Sequence, residues 1–140
     1  MTDEEEKDKE AVTRSGKRKE AIAKATIRPG KGRVRINSIP LEIHTPEMVR
    51  LKVMEPIQLV GDRSEDVDIE VNVEGGGIMG QADAARTAIA NCFVEYFEDT
   101  ELEELFKEYD RSLLVSDPRR KLPKQPMGRG ARSKRQKSYR

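Results

Sequence analysis

A strict alternation of apolar and polar residues runs from residue 66 to residue 74. Val67, Ile69, Val71 and Val73 are separated by single acidic or amide residues. Successive side chains of an extended chain point to opposite sides, so one side of this segment is apolar and the other polar. The pattern predicts a β-strand with one buried face and one acidic face in contact with solvent.

A second alternation occupies residues 21–28 and predicts another strand. Ala21, Ala23, Ala25 and Ile27 alternate with residues that include two cations. A turn rich in Pro and Gly at 29–32 leads into a short strand at 33–36, where arginines again alternate with aliphatic residues. The spacing predicts that these two strands pair with each other as a hairpin.

The predicted hairpin is unusually basic. Between Arg14 and Arg35 there are nine basic residues and one acid, Glu20. Like charges opposite each other on adjacent strands destabilise a sheet unless an anion covers them. An ordinary hairpin with solvated charges is the alternative, and we favour a hairpin whose basic side faces RNA phosphates.

Two helical regions flank the strand at 66–74. Before it, Thr45 as N-cap, Pro46 at the first position and Glu47 in the first turn predict a short helix that Pro56 ends. We interpret His44 as a loop or capping residue rather than a ligand. After residue 80, an Ala-rich stripe predicts a longer helix that buries Ala82, Ala85, Ile89, Cys92, Phe93 and Tyr96.

An acidic helix follows the Ala-rich one. Residues 95–110 contain eight acids and one lysine. Leu102, Leu105, Phe106 and Tyr109 stand at helical spacing, so they are expected to form its apolar stripe. The acidic side should face solvent, away from any nucleic acid.

Gly75, Gly77 and Gly80 form a G-x-G-x-x-G pattern between a strand and a helix. No second strand ending in a ribose-binding acid follows, and Gln81-Ala82 stands where a P-loop has Lys and Ser or Thr. We therefore rank a tight structural corner first, formed by Gly75, Gly76, Gly77 and Gly80 and requiring Gly77 and Gly80 in particular. A contact between RNA phosphate and the helix N-terminus ranks second, and catalysis ranks last.

Charge is distributed very unevenly along the chain. After Asp117 no acid follows, whereas ten Lys or Arg do, interrupted by three prolines and two glycines. Removing these cations leaves 17 basic against 26 acidic residues in 1–117, a net charge of −9. The composition predicts a disordered acidic N-terminus at 1–13, one domain at 14–116, and an extended basic tail at 117–140 that a polyanion would order. A solvated tail without a ligand is the alternative.

Other function classes lack the residues they need. One cysteine and one histidine provide neither an internal disulfide nor a metal cluster, and no apolar run is long enough to span a bilayer. The sequence predicts no metal, no cofactor, no catalytic residue and no membrane partner, in a reducing cytoplasmic setting.

The sequence resembles the ninth protein of the small ribosomal subunit, in its archaeal or eukaryotic-like form, because it contains six motifs of that family in the same order along the chain. They cover residues 16–19, 29–32, 75–82 with Arg86, 117–120, 128–132 and 136–140. The resemblance implies an α+β fold like the second domain of ribosomal protein S-five. It also implies a non-catalytic place in the head of the small subunit, beside other ribosomal proteins and against the 3′ domain of the rRNA.

The charge pattern and the resemblance together indicate which residues contact RNA, and the resemblance implies the contact with tRNA. The cations expected to bind rRNA are Arg14, Lys17, Arg18, Lys19, Lys24, Arg28, Lys31, Arg33, Arg35, Arg86, Arg119, Arg120, Lys121, Lys124, Arg129, Arg132, Lys134, Arg135 and Lys137. Ser138, Tyr139 and Arg140 are expected to touch the anticodon stem-loop of the peptidyl-site tRNA. Two alternatives are an enzyme of the related kinase fold and a free RNA-binding or chaperone protein with a basic arm.

Overall fold

Five strands form one mixed sheet in the order β1-β2-β5-β3-β4. This is a computed structural model, and it describes residues 10–44 and 46–139 of the chain. The strands in that part of the chain are β1 Val12–Arg18, β2 Ala21–Pro29, β3 Val34–Ile36, β4 Ile39–Pro40 and β5 Val67–Glu74. The α-helices there are α1 Glu47–Val60, α2 Ile78–Phe97 and α3 Thr100–Tyr109.

The alternating segments bury their apolar sides as the sequence predicts. Ala21, Ala23, Ala25 and Ile27 of β2 are buried, as are the four aliphatic residues of β5. They form one core with residues of α1, α2 and α3. The polar residues of β2 and β5 lie on the opposite, open face of the sheet. The predicted α+β class, as one domain, is confirmed.

The predicted hairpin between β2 and β3 is wrong. The strand β2 pairs antiparallel with β1 on one side and with β5 on the other, while β3 pairs parallel with β5. The acidic strand β5 therefore lies between the two basic strands. Sequence proximity suggested direct pairing, but separating like charges by an acidic strand is electrostatically more favourable.

The first strand begins earlier than the sequence predicts. Val12 and Thr13 pair with Ile27 and Thr26 in β1, so the prediction of disorder through residue 13 is wrong for these two residues. Residues 1–13 contain few apolar side chains, so no alternating pattern indicated this part of the strand. Residues 1–9 lie outside the described residues.

Small residues bring α2 unusually close to β1. Gly16 is buried, and a Cβ added there would lie 2.7 Å from the backbone nitrogen of Ala88 and even closer to the carbonyl oxygen of Ala84. The helix backbone thus rests almost directly on the strand backbone at this point. The alanines of β2 provide a similarly shallow surface for the same helix.

The helix α1 is longer than the sequence predicts. It continues past Pro56, which is buried inside it, and ends at Val60. Proline removes one backbone donor and usually breaks a helix, but here burial of Val53, Pro56 and Val60 in the core offsets that loss. Pro46 is the N-cap rather than the first helical residue, and Thr45 lies outside the described residues.

The predicted stripe of α2 is confirmed throughout, since all six of its residues are buried. Burial raises the pKa of the Cys92 thiol to about 12, as expected of an unreactive core residue.

The predicted stripe of α3 is only partly correct: Leu102 and Phe106 are buried, whereas Leu105 and Tyr109 are exposed. His44 follows a short 3-10 turn at Leu41–Ile43, in a loop as predicted.

The glycine corner depends on different glycines from those predicted. Gly75 and Gly76 have φ values of 73° and 65°, and a Cβ on either would lie 2.9 Å from backbone atoms of residues 20 or 21. Gly77 has a φ of −99°, and a Cβ added there would meet no neighbouring segment within 4 Å. A Cβ added at Gly80 would lie 3.7 Å from the carbonyl oxygen of Arg18, an ordinary van der Waals contact. The prediction that Gly77 and Gly80 are required sterically is therefore wrong.

Alanine substitutions test this assignment. At Gly75 or Gly76, alanine should lower the free energy of unfolding by about 1–3 kcal/mol, because it forces a side chain into a left-handed conformation against backbone. At Gly77, the N-cap of α2, alanine should cost only about 0.5 kcal/mol, because the N-cap preference is lost without strain or clash. At Gly80 it should stabilise α2 by about 0.5–1 kcal/mol. Urea unfolding of the four variants measures this, and equal destabilisation at Gly76 and Gly77 would contradict it.

Candidate nucleic-acid interface

The open face of the sheet carries alternating charges rather than a purely basic surface. Arg28 of β2 lies 3.7 Å from Glu70 of β5, measured between Nη2 and Oε2. On the other side of β5, Arg35 stands opposite the same glutamate. The acids of β5 thus neutralise part of the positive charge that the sequence assigned to RNA phosphates.

Asp68 organises the turn that follows β2. Its Oδ1 accepts hydrogen bonds from the backbone nitrogens of Lys31, at 2.9 Å, and Arg33, at 3.0 Å. Burial alone would raise the pKa of this carboxyl, but these bonds and the nearby Arg33 and Arg35 guanidinium groups hold it below its ordinary value. Asp68 is therefore charged at neutral pH. It fixes the backbone of the turn, and the side chains of Lys31 and Arg33 are exposed.

Several cations of the domain have no ion pair with any described residue. They are exposed, and all belong to the set expected to bind rRNA: Lys17, Lys19, Lys24, Lys31, Arg33 and Arg35. Lys24 stands opposite Asn72 rather than an acid. These side chains are free to contact an external anion without first breaking an ion pair to a described residue.

Other cations expected to bind RNA are engaged within the protein. Arg14 forms an ion pair with Glu95 of α2, and Arg18 pairs with Asp83 and with Asp117. Both arginines lie on the helix-covered side of β1, opposite buried alanines of β2. Their position on this side follows from the pairing of β1, which the sequence analysis missed.

Arg86 is the most enclosed of these cations. Its side chain is only 12% exposed and lies within ion-pair distance of Glu55 in α1 and Asp110 after α3. It also donates a hydrogen bond of 3.3 Å to Ser112 Oγ. Arg86 therefore joins three segments of the domain, a structural role that its place in the family motif did not indicate.

Asp117 attaches the tail to the domain. It forms a backbone bridge with Arg18, and its carboxylate pairs with the Arg18 guanidinium. Arg119 donates to the same carboxylate from its Nε at 3.0 Å and from its backbone nitrogen at 2.9 Å. Bonds from Arg119 hold the pKa of Asp117 well below its usual range, so this carboxyl is charged at physiological pH and can pair with Arg18.

This attachment is part of a wider network that the sequence did not reveal. Asp83 of α2 also accepts from Lys52 Nζ of α1 at 2.7 Å. Asp83 thus connects α1 and β1 at the point where the tail begins. No motif or spacing signalled Asp83 or Lys52, because their proximity depends on how the helices pack.

Beyond this point the chain is largely exposed. Among the described residues 118–139, no helix or strand forms apart from an isolated bridge between Gly128 and Lys134. The tail cations without an ion pair to a described residue are Arg120, Lys121, Lys124, Arg129, Arg132, Lys134, Arg135 and Lys137. Ser138 and Tyr139 are exposed, and Arg140 lies outside the described residues.

The described residues offer few groups for functions other than RNA binding, such as metal binding or membrane insertion. In the described part of the chain, no three or more His, Cys, Asp or Glu side chains are grouped so as to hold a metal ion. No helix there is long and apolar enough to cross a membrane. At the glycine corner, Gln81 Nε2 donates to the Gly75 carbonyl at 3.0 Å, which closes the turn upon itself.

Comparison with known proteins identifies the family. A family model described as ribosomal protein S9/S16 matches residues 16–140. The small ribosomal subunit protein uS9 of Picrophilus torridus is 57% identical over 129 residues, which are 92% of this chain and 97% of that protein. The proteins of the same name from Thermoplasma volcanium and Halobacterium salinarum are 53% and 56% identical, over 92% and 90% of this chain and 98% and 96% of their own lengths. The chain therefore belongs to the ribosomal protein S9/S16 family.

Proposed function

We propose that this protein is a structural, non-enzymatic component of the small ribosomal subunit, located in the cytoplasmic ribosome, and that it binds rRNA through its exposed cations. Its relatives are named as small-subunit proteins and align over nearly their full lengths. The observation that carries the rRNA contact is the division between cations paired within the domain and cations left exposed.

That division decides where RNA can bind. A cation already paired with a carboxylate gains little from a phosphate, because one ion pair replaces another. A free cation that neutralises a phosphate releases condensed counterions, which favours binding. Lys24, Lys31 and the eight tail cations without an ion pair meet the second condition with respect to the described residues. The proposed rRNA interface therefore comprises the free cations of the domain and the tail.

The net charge of the domain favours the tail as the main electrostatic element. Residues 1–117 carry a net charge of −9, so their overall field repels RNA, whereas the tail has ten cations and no acid after Asp117. The exposed acids of α3 contribute to the negative charge of the domain. We infer that the acidic helix faces away from RNA while the tail extends along it.

Family resemblance supports the finer placement. We propose that the domain lies in the head of the subunit, against the 3′ domain of the rRNA and beside other ribosomal proteins. The end of the tail then reaches the peptidyl-site tRNA. Tyr139 is 90% exposed, so its ring is available to stack or to hydrogen-bond with ribose and phosphate.

A free RNA-binding or chaperone protein with a basic arm is the remaining alternative. It would bind RNA through the same cations without becoming part of a particle. Cosedimentation with small subunits after a high-salt wash separates the two functions. A subunit component should remain with the particle, and complete release into the supernatant would favour the alternative.

Truncation tests the role of the tail. Six to ten phosphate contacts should give a log–log salt slope of about −5 to −9 for duplex-like RNA, and removal of residues 119–140 should flatten it strongly. This truncation retains Asp117, so the attachment to Arg18 can persist. Binding to small-subunit rRNA across a salt series measures the slope.

The control for this truncation is the free energy of unfolding. It should change little, since none of the described residues that are removed belongs to the core. A slope that stays the same in a folded truncated protein would contradict the proposal that the tail dominates rRNA binding.

The end of the tail should affect tRNA rather than assembly. Removing residues 138–140 leaves the other nine tail cations in place but deletes a hydroxyl, an aromatic ring and a guanidinium. Retention of deacylated tRNA in the peptidyl site should weaken by about 1–3 kcal/mol, as for a charged hydrogen bond. Filter binding to reconstituted subunits measures this, with cosedimentation of the variant as the assembly control. Equal tRNA dissociation rates with and without these residues would refute it.

A further inference from the structure

One segment of the tail closes into a loop. The backbone nitrogen of Arg129 donates to the carbonyl of Ser133 at 3.0 Å, and that of Arg135 donates to the carbonyl of Met127 at 3.3 Å. Met127 has a φ of 71°, which turns the chain at the base. We call residues 127–135 the tail loop. Among the described residues 118–139, no isolated bridge other than the one within this loop is present.

Close backbone packing at Gly128 holds the two sides of the tail loop together. A Cβ added at Gly128 would lie well inside van der Waals contact with the carbonyl oxygen of Ser133 and 3.2 Å from the Cα of Lys134. Gly130, two residues further on, has only an ordinary neighbour, Ser133 Cβ at 3.7 Å. One glycine is therefore required for loop closure, and the other is not.

Nothing apolar explains why the tail loop closes. Met127 is 80% exposed, so its side chain contributes almost no burial. Closure instead brings together Arg129, Arg132, Lys134 and Arg135, four cations without an acid among the nine residues. The backbone hydrogen bonds hold the loop closed against the mutual repulsion of these charges, and an anion bound among them would relieve that repulsion.

The tail loop has a shape suited to such an anion. It borders an open concavity of about 780 Å³, lined in part by Arg129, Ser133, Lys134 and Arg135. None of its cations forms an ion pair with a described residue. Guanidinium groups grip phosphate oxygens in a bidentate manner, and the Ser133 hydroxyl adds a neutral donor.

We propose that the tail loop is a preformed site for the backbone phosphates of folded RNA. The loop binds phosphodiester groups where the RNA backbone turns. Its cations then act together, and not one by one as they would along an extended chain. This inference rests on the proposed function, because it specifies how one part of the tail binds rRNA. Forming the loop before binding lowers the entropy lost on association.

Two alanine variants with unchanged charge test the proposal. G128A should open the tail loop, whereas G130A should leave it closed. We expect G128A to weaken binding to small-subunit rRNA by about tenfold, because the cations must then be ordered on binding. G130A should bind like the unsubstituted protein. Equal affinities of G128A and G130A would overturn the proposal, whether both are weakened or neither is.

Nuclear Overhauser contacts in the free protein supply a second readout. Backbone contacts between Met127 and Arg135 should be present in the unsubstituted protein and in G130A, and absent in G128A. Their absence from the unsubstituted protein would overturn the claim that the site is preformed.

The outcome for the tail loop is distinguishable from the outcome for the proposed function. If truncation after Pro118 flattens the salt slope but G128A matches G130A, the tail binds rRNA without a preformed loop. If truncation leaves the slope unchanged, the proposed role of the tail itself fails.

Discussion

The close contact between α2 and β1 is the constraint on which the other elements depend. Gly16 lets the two backbones meet, and a side chain there would separate helix from strand. Because α2 lies so near, Asp83 on the helix reaches Arg18 on the strand, and Arg18 in turn pairs with Asp117. The starting point and direction of the tail thus follow from backbone packing inside the core.

The same packing sorts the cations into two groups with different uses. Arginines on the helix-covered side of the sheet, such as Arg14 and Arg18, meet acids of the domain and help to hold it together. Most cations on the open face and in the tail, such as Lys24 and Lys134, have no such partner among the described residues. Arg28 and Arg119, which pair with acids, are the exceptions there. A near-neutral protein can therefore present a strongly basic segment, because opposite charges are separated along the chain rather than mixed.

Local periodicity explains which features were predictable from the sequence. The alternations in β2 and β5 and the stripe of α2 depend on neighbouring residues, and the structure has them as expected. Strand order is not local: β1 was missed because its inward positions after Val12 hold Gly16 and arginines instead of aliphatic residues. The helix through Pro56, the enclosed Arg86 and the loop closed at Gly128 likewise depend on contacts between distant or non-periodic segments.

The reactivity of individual lysines measures most directly which cations bind RNA and which do not. The free protein and the protein bound to small subunits would be labelled with an amine-reactive reagent and compared by mass spectrometry. Lys24, Lys31, Lys124 and Lys134 should lose reactivity on binding, because phosphates cover them. Lys107, on the acidic helix, is paired with Glu103 at 2.8 Å yet 55% exposed, and it should keep the same reactivity in both states. Protection of Lys107 together with continued reactivity of the tail lysines would contradict the account.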